Sequence, residues 1–520
     1  MRARLVFATA TLLGVASVGC FDIVSNDQAF DQGKGGNTGA GGEGGTGGTT
    51  NAGGAGGTTT SSTTTVPVEC VPSNQSSGVG DECGVFVSSS MGADGNDGTK
   101  AKPFATIKAA LQEAPGKTVY LCSETFAGEV GVTGSVTVYG GLDCMAEWAY
   151  GGDTARSTIT AGTDLVPVRL RNGGSLTAFN IRVLAEKATK RGGSSIAILA
   201  EAGTTLDLSR SDAEAGDGAA GEDPPGFVEA AASGVDGSDG LTACSAAQVI
   251  TPEAPTNRCG AEDSNGGPGG TGATMQGGPG GAGAPFLVEN SGGGEIANNP
   301  CGHGMDSNPA ANGAAGAGAK GSLGALNAEL GFVGPAGSDG EPGKVGQGGG
   351  GGGGAKGGTA ANQCTVPNTG GASGGSGGSG GCAGLGGKGG GGGGSSIALV
   401  SLGATLSFTD VTLTAKNAGR GGDGGSGQEG GEGGLAGAAG TKGAASALND
   451  ACHGGKGGRG GTGGRGGGGL GGHSVGIAHT GEAPDVKGAT VVVGAAGDGG
   501  LGETMEFNGD PGVPQDVLAL

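Results

Sequence analysis

The sequence predicts an all-β protein, a solenoid of short parallel strands stacked rung on rung and interrupted by long glycine-rich insertions. Three observations predict it. Strand-like segments of about twenty residues recur with matching apolar positions. Apolar and polar residues alternate within them, with no helical period between them. Glycine supplies 134 of 520 residues, about a quarter against a usual ~7%. A chain so rich in glycine and so poor in aromatics cannot bury one large core along its whole length.

The first residues, "MRARLVFATATLLGVASVGC", carry Arg2 and Arg4 ahead of an apolar run from Leu5 to Val18. Residues 1–19 read as a secretory signal, too short to span a membrane. "SVGC" resembles the lipobox of bacterial lipoproteins, although Ser17 stands where that family usually has Leu. The resemblance implies that Cys20 is lipidated and becomes the mature N-terminus. Phe21 follows it in place of Asp, which implies sorting to the outer membrane. Residues 20–66, mostly Gly, Thr, Ala, Asn and Ser, form a flexible tether. The net charge of −21 argues against binding nucleic acid, whose phosphate contacts need clustered Lys and Arg, and fits a soluble surface outside a cell. Partners in that setting are the membrane through the anchor, extracellular polysaccharide or envelope proteins, and not nucleic acid.

Ten of the eleven cysteines lie beyond Cys20, an even number that suits up to five disulfides in an exported chain. The pairing is open from sequence. Cys70–Cys83 and Cys244–Cys259 are plausible local pairs by proximity.

Order is expected from residue 67. In "DGNDGTKAKPFATIKAALQEAPGKTVYL", Pro103 suits the start of a helix. Phe104, Ile107, Leu111 and Ala114 then share one helical face, and Pro115 and Gly116 end it. The run resembles the opening segment of right-handed parallel β-helix proteins of the pectin-lyase-like class, on Gly98, Thr99, Pro103, Phe104, Thr106, Ile107, Ala110 and Leu111. The resemblance implies an amphipathic helix that plugs the open end of a right-handed coil, hiding strand edges and core side chains. "VYGGLD" followed shortly by Trp148 adds to it.

Three segments then align: residues 166–185, 196–215 and 397–415. Val166, Ile196 and Ile397 correspond, as do Leu176, Leu206 and Leu406, then Ala178, Leu208 and Phe408. Ile181 and Val183 match Val411 and Leu413. Residues 474–495 are a weaker fourth copy. The organisation read from this is a helix and first coils at 67–213, a glycine-rich insertion at 214–394, a coil at 395–416, a second insertion at 417–472, and a last coil with the C-terminal end at 473–520. Long insertions leave neighbouring rungs in contact and map to the outside of a solenoid.

The insertions admit two readings, a solvated brush or a bundle of polyglycine-II-like strands. With three residues per turn, a repeat such as GGX packs glycine faces and turns X outward. Cysteines 244, 259, 301, 364, 382 and 452 lie within them, which favours a stapled, ordered bundle. Six Gly-X-Y triplets over 331–348 are too few for a collagen trimer. In composition the tracts resemble mycobacterial PE-PGRS proteins and glycine-rich myxobacterial lipoproteins.

No constellation for catalysis stands out, and no cofactor or metal motif. Outward strand positions hold Thr177, Arg182, Asp207, Arg210, Ser407, Thr409 and Asp410, without a carboxylate cluster repeated across rungs. Asn180 and Asp410 correspond and suit a structural ladder at a turn. "CGH" at 301–303 and "CH" at 452–453 are isolated pairs, and His473 and His479 have no nucleophile nearby. "GGDGG" at 421–425 and "GDGG" at 497–500 lack the full register of calcium-binding nonapeptides. Regular Thr-x-Thr rows, which would suit an ice-binding surface, are not evident. The expectation is a non-enzymatic cell-surface lipoprotein, adhesive or envelope-structural. The alternative is a carbohydrate-active β-helix enzyme of the polysaccharide-lyase type.

Overall fold

The computed structural model describes residues 67–520 apart from Ser76 and Ser446. The expected signal, Cys20 and the expected tether lie outside the described residues. The described chain is mainly strand, with one α-helix, and its principal strands form parallel sheets curled around an apolar interior.

Strands recur in three positions. The first comprises Val130–Val132, Val168–Leu170, Ser195–Ala200, Ser396–Ser401, Ser474–His479 and Pro514–Ala519, each parallel to the next. The second comprises Gly84–Val87, Thr118–Cys122, Ser135–Asp143 and Ser175–Phe179, then the leading halves of Thr205–Glu214 and Thr405–Thr414. The third comprises Thr125–Ala127, Ser157–Thr160 and Ile181–Leu184, then the trailing halves of the same two long strands, then Ala489–Val492.

Where the second position bends into the third, Asn180, Arg210 and Asp410 occupy the left-handed region, with φ of 55°, 44° and 54°. The chain reverses the face of its side chains there. Leu206 and Leu208 before the bend and Ala213 after it therefore all reach the interior, where each is fully buried. Arg210 fills the rung between Asn180 and Asp410, so the two residues aligned in the sequence share one corner.

Leu206 pairs with Leu176 on one side and with Leu406 on the other. Ile196 pairs with Ile397, and Leu208 with both Ala178 and Phe408. Aliphatic side chains stacked this way remove apolar area from water, about 1.5–3 kcal/mol for each fully buried Leu or Ile.

The helix, α1, spans Ile107–Glu113 and starts later than Pro103 predicts. Thr106 is its N-cap, accepting from the Ala109 N–H at 3.1 Å. Phe104 is still extended, exchanging backbone hydrogen bonds with Phe86 and Ser88. Ile107, Ala110 and Ala114 are buried against the first strands. The helix thus covers the interior at the N-terminal side of the stack.

The glycine-rich segments are ordered by backbone hydrogen bonds with a period of three. Gly337, Gly340, Gly343, Gly346, Gly349 and Gly352 donate to the carbonyls of Gly390, Gly387, Gly384, Gly381, Gly378 and Gly375 in turn. Those acceptors donate onward to residues 467, 464, 461, 458, 455 and 452. A second set, residues 373, 376, 379 and 382, donates to residues 241, 238, 235 and 232 and accepts from residues 440, 437, 434 and 431. A third set, Gly374 and Gly377, donates to Gly270 and Gly267. One extended segment is thus bonded to five neighbours, the packing a three-residue helical repeat permits.

Glycine is required because the chains touch. A Cβ on Gly377 would lie 1.8 Å from the Gly349 carbonyl oxygen, and one on Gly386 1.8 Å from that of Gly340. Residues at the third, outward position need not be glycine, and their carboxylates satisfy amides the lattice leaves open. Asp223 accepts from the Asp423 N–H, Asp236 from Leu435, Asp239 from Ala438 and Asp306 from Lys456.

The insertion does not stay clear of the strands. An antiparallel hairpin, Ala325–Asn327 with Gly331–Val333, folds back over the first strand position. Phe332 packs there in a second apolar cluster with Ile196, Leu199, Ile397, Val400 and Val475. This explains why Ser195–Ala200, Ser396–Ser401 and Ser474–His479 are buried throughout.

Five disulfides form: Cys70–Cys83, Cys122–Cys144, Cys244–Cys364, Cys259–Cys382 and Cys301–Cys452. The local pair Cys244–Cys259 is not made. Each of these two residues is tied to a segment more than a hundred residues away, because lattice neighbours are set by hydrogen-bond register and not by sequence distance.

Candidate functional site

The second strand position presents an outward face of regular polar rows. Alternation turns Leu176, Leu206 and Phe408 inward and leaves their neighbours outside. One row runs Ser135, Ser175, Thr205, Thr405, and the next Thr137, Thr177, Asp207, Ser407. Hydroxyls and one carboxylate therefore repeat at about 4.8 Å between strands and about 6.7 Å along them. Thr205, Thr405, Ser407 and Thr409 are exposed. Thr-x-Thr is not regular along the strands; the hydroxyl rows run across them instead, with Ser substituting for Thr.

The third column begins as an aromatic stack. Phe86, Tyr120, Tyr139 and Phe179 share it, with ring centroids 5.1, 5.6 and 4.8 Å apart in succession. The chain stapled by Cys70–Cys83 covers the start of this stack, where the Tyr120 hydroxyl donates to the Cys70 carbonyl at 2.7 Å. Burial pushes the Tyr120 phenol well above its ordinary range. Trp148 closes over Phe86 at 4.8 Å. Beyond Phe179 the column turns to Ser209 and Thr409 and opens to solvent.

Arg210 borders the opening. Its guanidinium lies 5.8 Å from the Phe179 ring, its Nε donates to Asn180 Oδ1 at 3.2 Å, and Asp153 pairs with it at 3.4 Å. Tyr150 donates to Asp153 at 2.6 Å. Burial comes first in raising the Tyr150 phenol, followed by that bond. Arg182 is bonded to Glu214, which also pairs with Lys416. Burial pushes the Glu214 carboxyl up, but bonds to Lys416 and Arg182 outweigh it and hold it below the ordinary range. Both arginines singled out in the sequence are thus neutralised by carboxylates. Asp207 stands between Thr177 and Ser407, and Asp410 lies at the corner.

A cavity of about 790 Å³ lies along α1 between Asp94 and Thr125–Gly131. Asp94 is committed there to the N–H groups of Ala105 and Thr106 and to the Thr106 hydroxyl. Among the described residues no three His, Cys, Asp or Glu side chains converge in a metal-binding group. Asp423, in the calcium-like "GGDGG", is bonded to Arg420 and to the Leu501 N–H. His473 is buried between the Leu323 carbonyl and the Val513 N–H. Cys20 lies outside the described residues. No family model, no curated protein and no solved structure matches the chain.

Proposed function

We propose that the chain is a non-enzymatic cell-surface lipoprotein, anchored through Cys20, in which a right-handed parallel β-helix carries polyglycine-II-like insertions and adheres to extracellular polysaccharide. The reading rests on the signal and lipobox in the sequence, on the parallel register of the strands, and on the chemistry of the outward face. The carrying observation is the pair of hydroxyl rows from Ser135 and Thr137 to Thr405 and Ser407. A rigid array of donors and acceptors suits a repeating polyhydroxyl ligand, since each bond is weak and the rows supply many. The half-buried Phe179 with Arg210 at its edge adds an apolar ring for a sugar face.

Sedimentation of the full chain with insoluble polysaccharides tests the reading. Thr177→Arg and Ser407→Arg, on exposed or half-exposed positions, are expected to weaken binding at least about tenfold, about 1.4 kcal/mol. No binding to any of a panel of neutral and acidic polysaccharides would contradict it. Thermal hysteresis with no polysaccharide binding would reassign the face to ice. Labelled palmitate incorporation lost in Cys20→Ala tests the anchor separately.

A further inference from the structure

His303 and His453 belong to different turns of the glycine-rich lattice, 150 residues apart, yet their rings stack with centroids 3.9 Å apart and planes inclined by 19°. Their segments are joined at this level, since the Gly304 N–H donates to the His453 carbonyl at 2.9 Å. The Cys301–Cys452 disulfide lies two residues before one histidine and one before the other. Gly302, Gly304 and Gly454 flank the rings, so no adjacent side chain screens them, and both histidines are exposed. The His453 Nδ1 lies 2.7 Å from the Gly454 carbonyl oxygen, the one partner it has there. That contact requires Nδ1–H and leaves the Nε2 lone pair free, the arrangement a ligating histidine takes when a carbonyl orients its far nitrogen. His303 makes no hydrogen bond within the described structure, so both its nitrogens are open to a ligand.

We propose that His303 and His453 form a surface site for one borderline divalent cation, Cu²⁺, Ni²⁺ or Zn²⁺, with water completing the coordination. Imidazole nitrogens suit these ions, and Cu²⁺ should bind most tightly. Two nitrogens at about 2.0–2.1 Å from one ion stand about 3 Å apart. In the stacked arrangement the ring lone pairs run side by side, so both rings must turn about their Cβ–Cγ bonds to converge on the ion, which their exposed positions allow. The disulfide fixes the two segments before the ion arrives, so little ordering accompanies binding. Asp306, one three-residue turn beyond His303, accepts from the Lys456 N–H and is not offered to the ion.

Titration of the tag-free full chain with Cu²⁺, followed by calorimetry and by the nitrogen splitting in its electron paramagnetic resonance spectrum, tests the proposal. One equivalent with two equatorial nitrogens is expected at pH 7.5. His303→Gln and His453→Gln should each weaken it at least about tenfold and reduce the splitting to one nitrogen, with an unchanged circular dichroism spectrum. Ni²⁺ should compete. Binding unaffected by either substitution, or no binding of Cu²⁺ at one equivalent, would overturn the site. A double variant, Cys301→Ser with Cys452→Ser, should keep two nitrogens but bind more weakly. Equal affinity in that variant would overturn the role given to the disulfide.

Discussion

Ser396 Oγ lies 2.7 Å from the carbonyl oxygen of Gly216, a residue 180 positions earlier. The same hydroxyl accepts from the Lys416 N–H at 2.8 Å. Ser195 and Ser474 repeat the arrangement: Ser195 bonds Glu186 O and Gly216 N, and Ser474 bonds Lys416 O and Gly494 N. The three serines pair with one another in register at the start of the first strand position. Each joins the point where the chain leaves one rung to the point where it returns. The ladder holds the mouth of both excursions shut, so the rungs stay in contact whatever the length of chain between them.

Replacing Ser396 by Ala leaves the Gly216 carbonyl and the Lys416 N–H unpaired in a buried place. A loss of about 1–3 kcal/mol is expected. Thermal melts should show a lower midpoint for Ser396→Ala, and similar losses for Ser195→Ala and Ser474→Ala. An unchanged midpoint would mean that backbone pairing alone closes the excursions.

The glycine lattice predicts position-dependent tolerance of a methyl group. In Gly377→Ala the Cβ would meet the Gly349 carbonyl oxygen at 1.8 Å, so backbone must shift. Gly226→Ala has nothing within 4 Å of the new Cβ and no unusual φ. Gly377→Ala should cost at least about 1–3 kcal/mol and open the lattice to protease, whereas Gly226→Ala should not. Limited proteolysis of the two variants beside the unaltered chain measures this.

Three disulfides link distant lattice segments, with sequence separations of 120, 123 and 151 residues. Chain-entropy arguments assign each such long loop up to about 5 kcal/mol. Reduction under native conditions should expose residues 214–394 and 417–472 to cleavage before residues 84–213. Simultaneous cleavage of both regions would show that the lattice and the strands unfold as one unit.

His473 predicts an acid response. Its Nε2 donates to the Leu323 carbonyl at 2.6 Å and its Nδ1 accepts from the Val513 N–H at 2.9 Å, so the ring is neutral. Burial lowers its titration point, although the bond to Leu323 works the other way. The unfolded chain then binds more protons than the folded one below pH ~6.5, so this contribution is present above that pH and is lost as pH falls. Melting midpoints should decline from pH 7.5 to 5.5. His473→Gln, which can donate and accept in the same places, should flatten the decline. An identical decline in that variant would assign it elsewhere.

The apolar columns of the strands were legible because alternation and burial are local signals. Val166, Ile196 and Ile397 align by eye for the same reason that they stack. Pro103 points to a helix start that the chain does not adopt, since Phe104 is held extended by Phe86 and Thr106 is the N-cap. The strand Pro514–Ala519 is not legible as one because it opens on Pro, Gln and Asp and its apolar half, Val517 to Ala519, is too short to show alternation. Disulfide pairing and the fold-back of Phe332 were not readable, because both depend on which glycine segments lie side by side. The hydroxyl rows were present in the aligned columns and needed only to be read across the copies, Ser175 to Thr205 to Thr405.

The pairing of residues 205–214 with 405–414 joins the strands before the first insertion to those after it. Nitroxide labels on cysteines placed at the exposed positions Thr205 and Thr405 test it directly in the full chain, its native cysteines being oxidised. Neighbouring parallel strands lie about 4.8 Å apart, so the doubly labelled protein should show strong dipolar broadening. A spectrum equal to the sum of the two singly labelled proteins would contradict the stack.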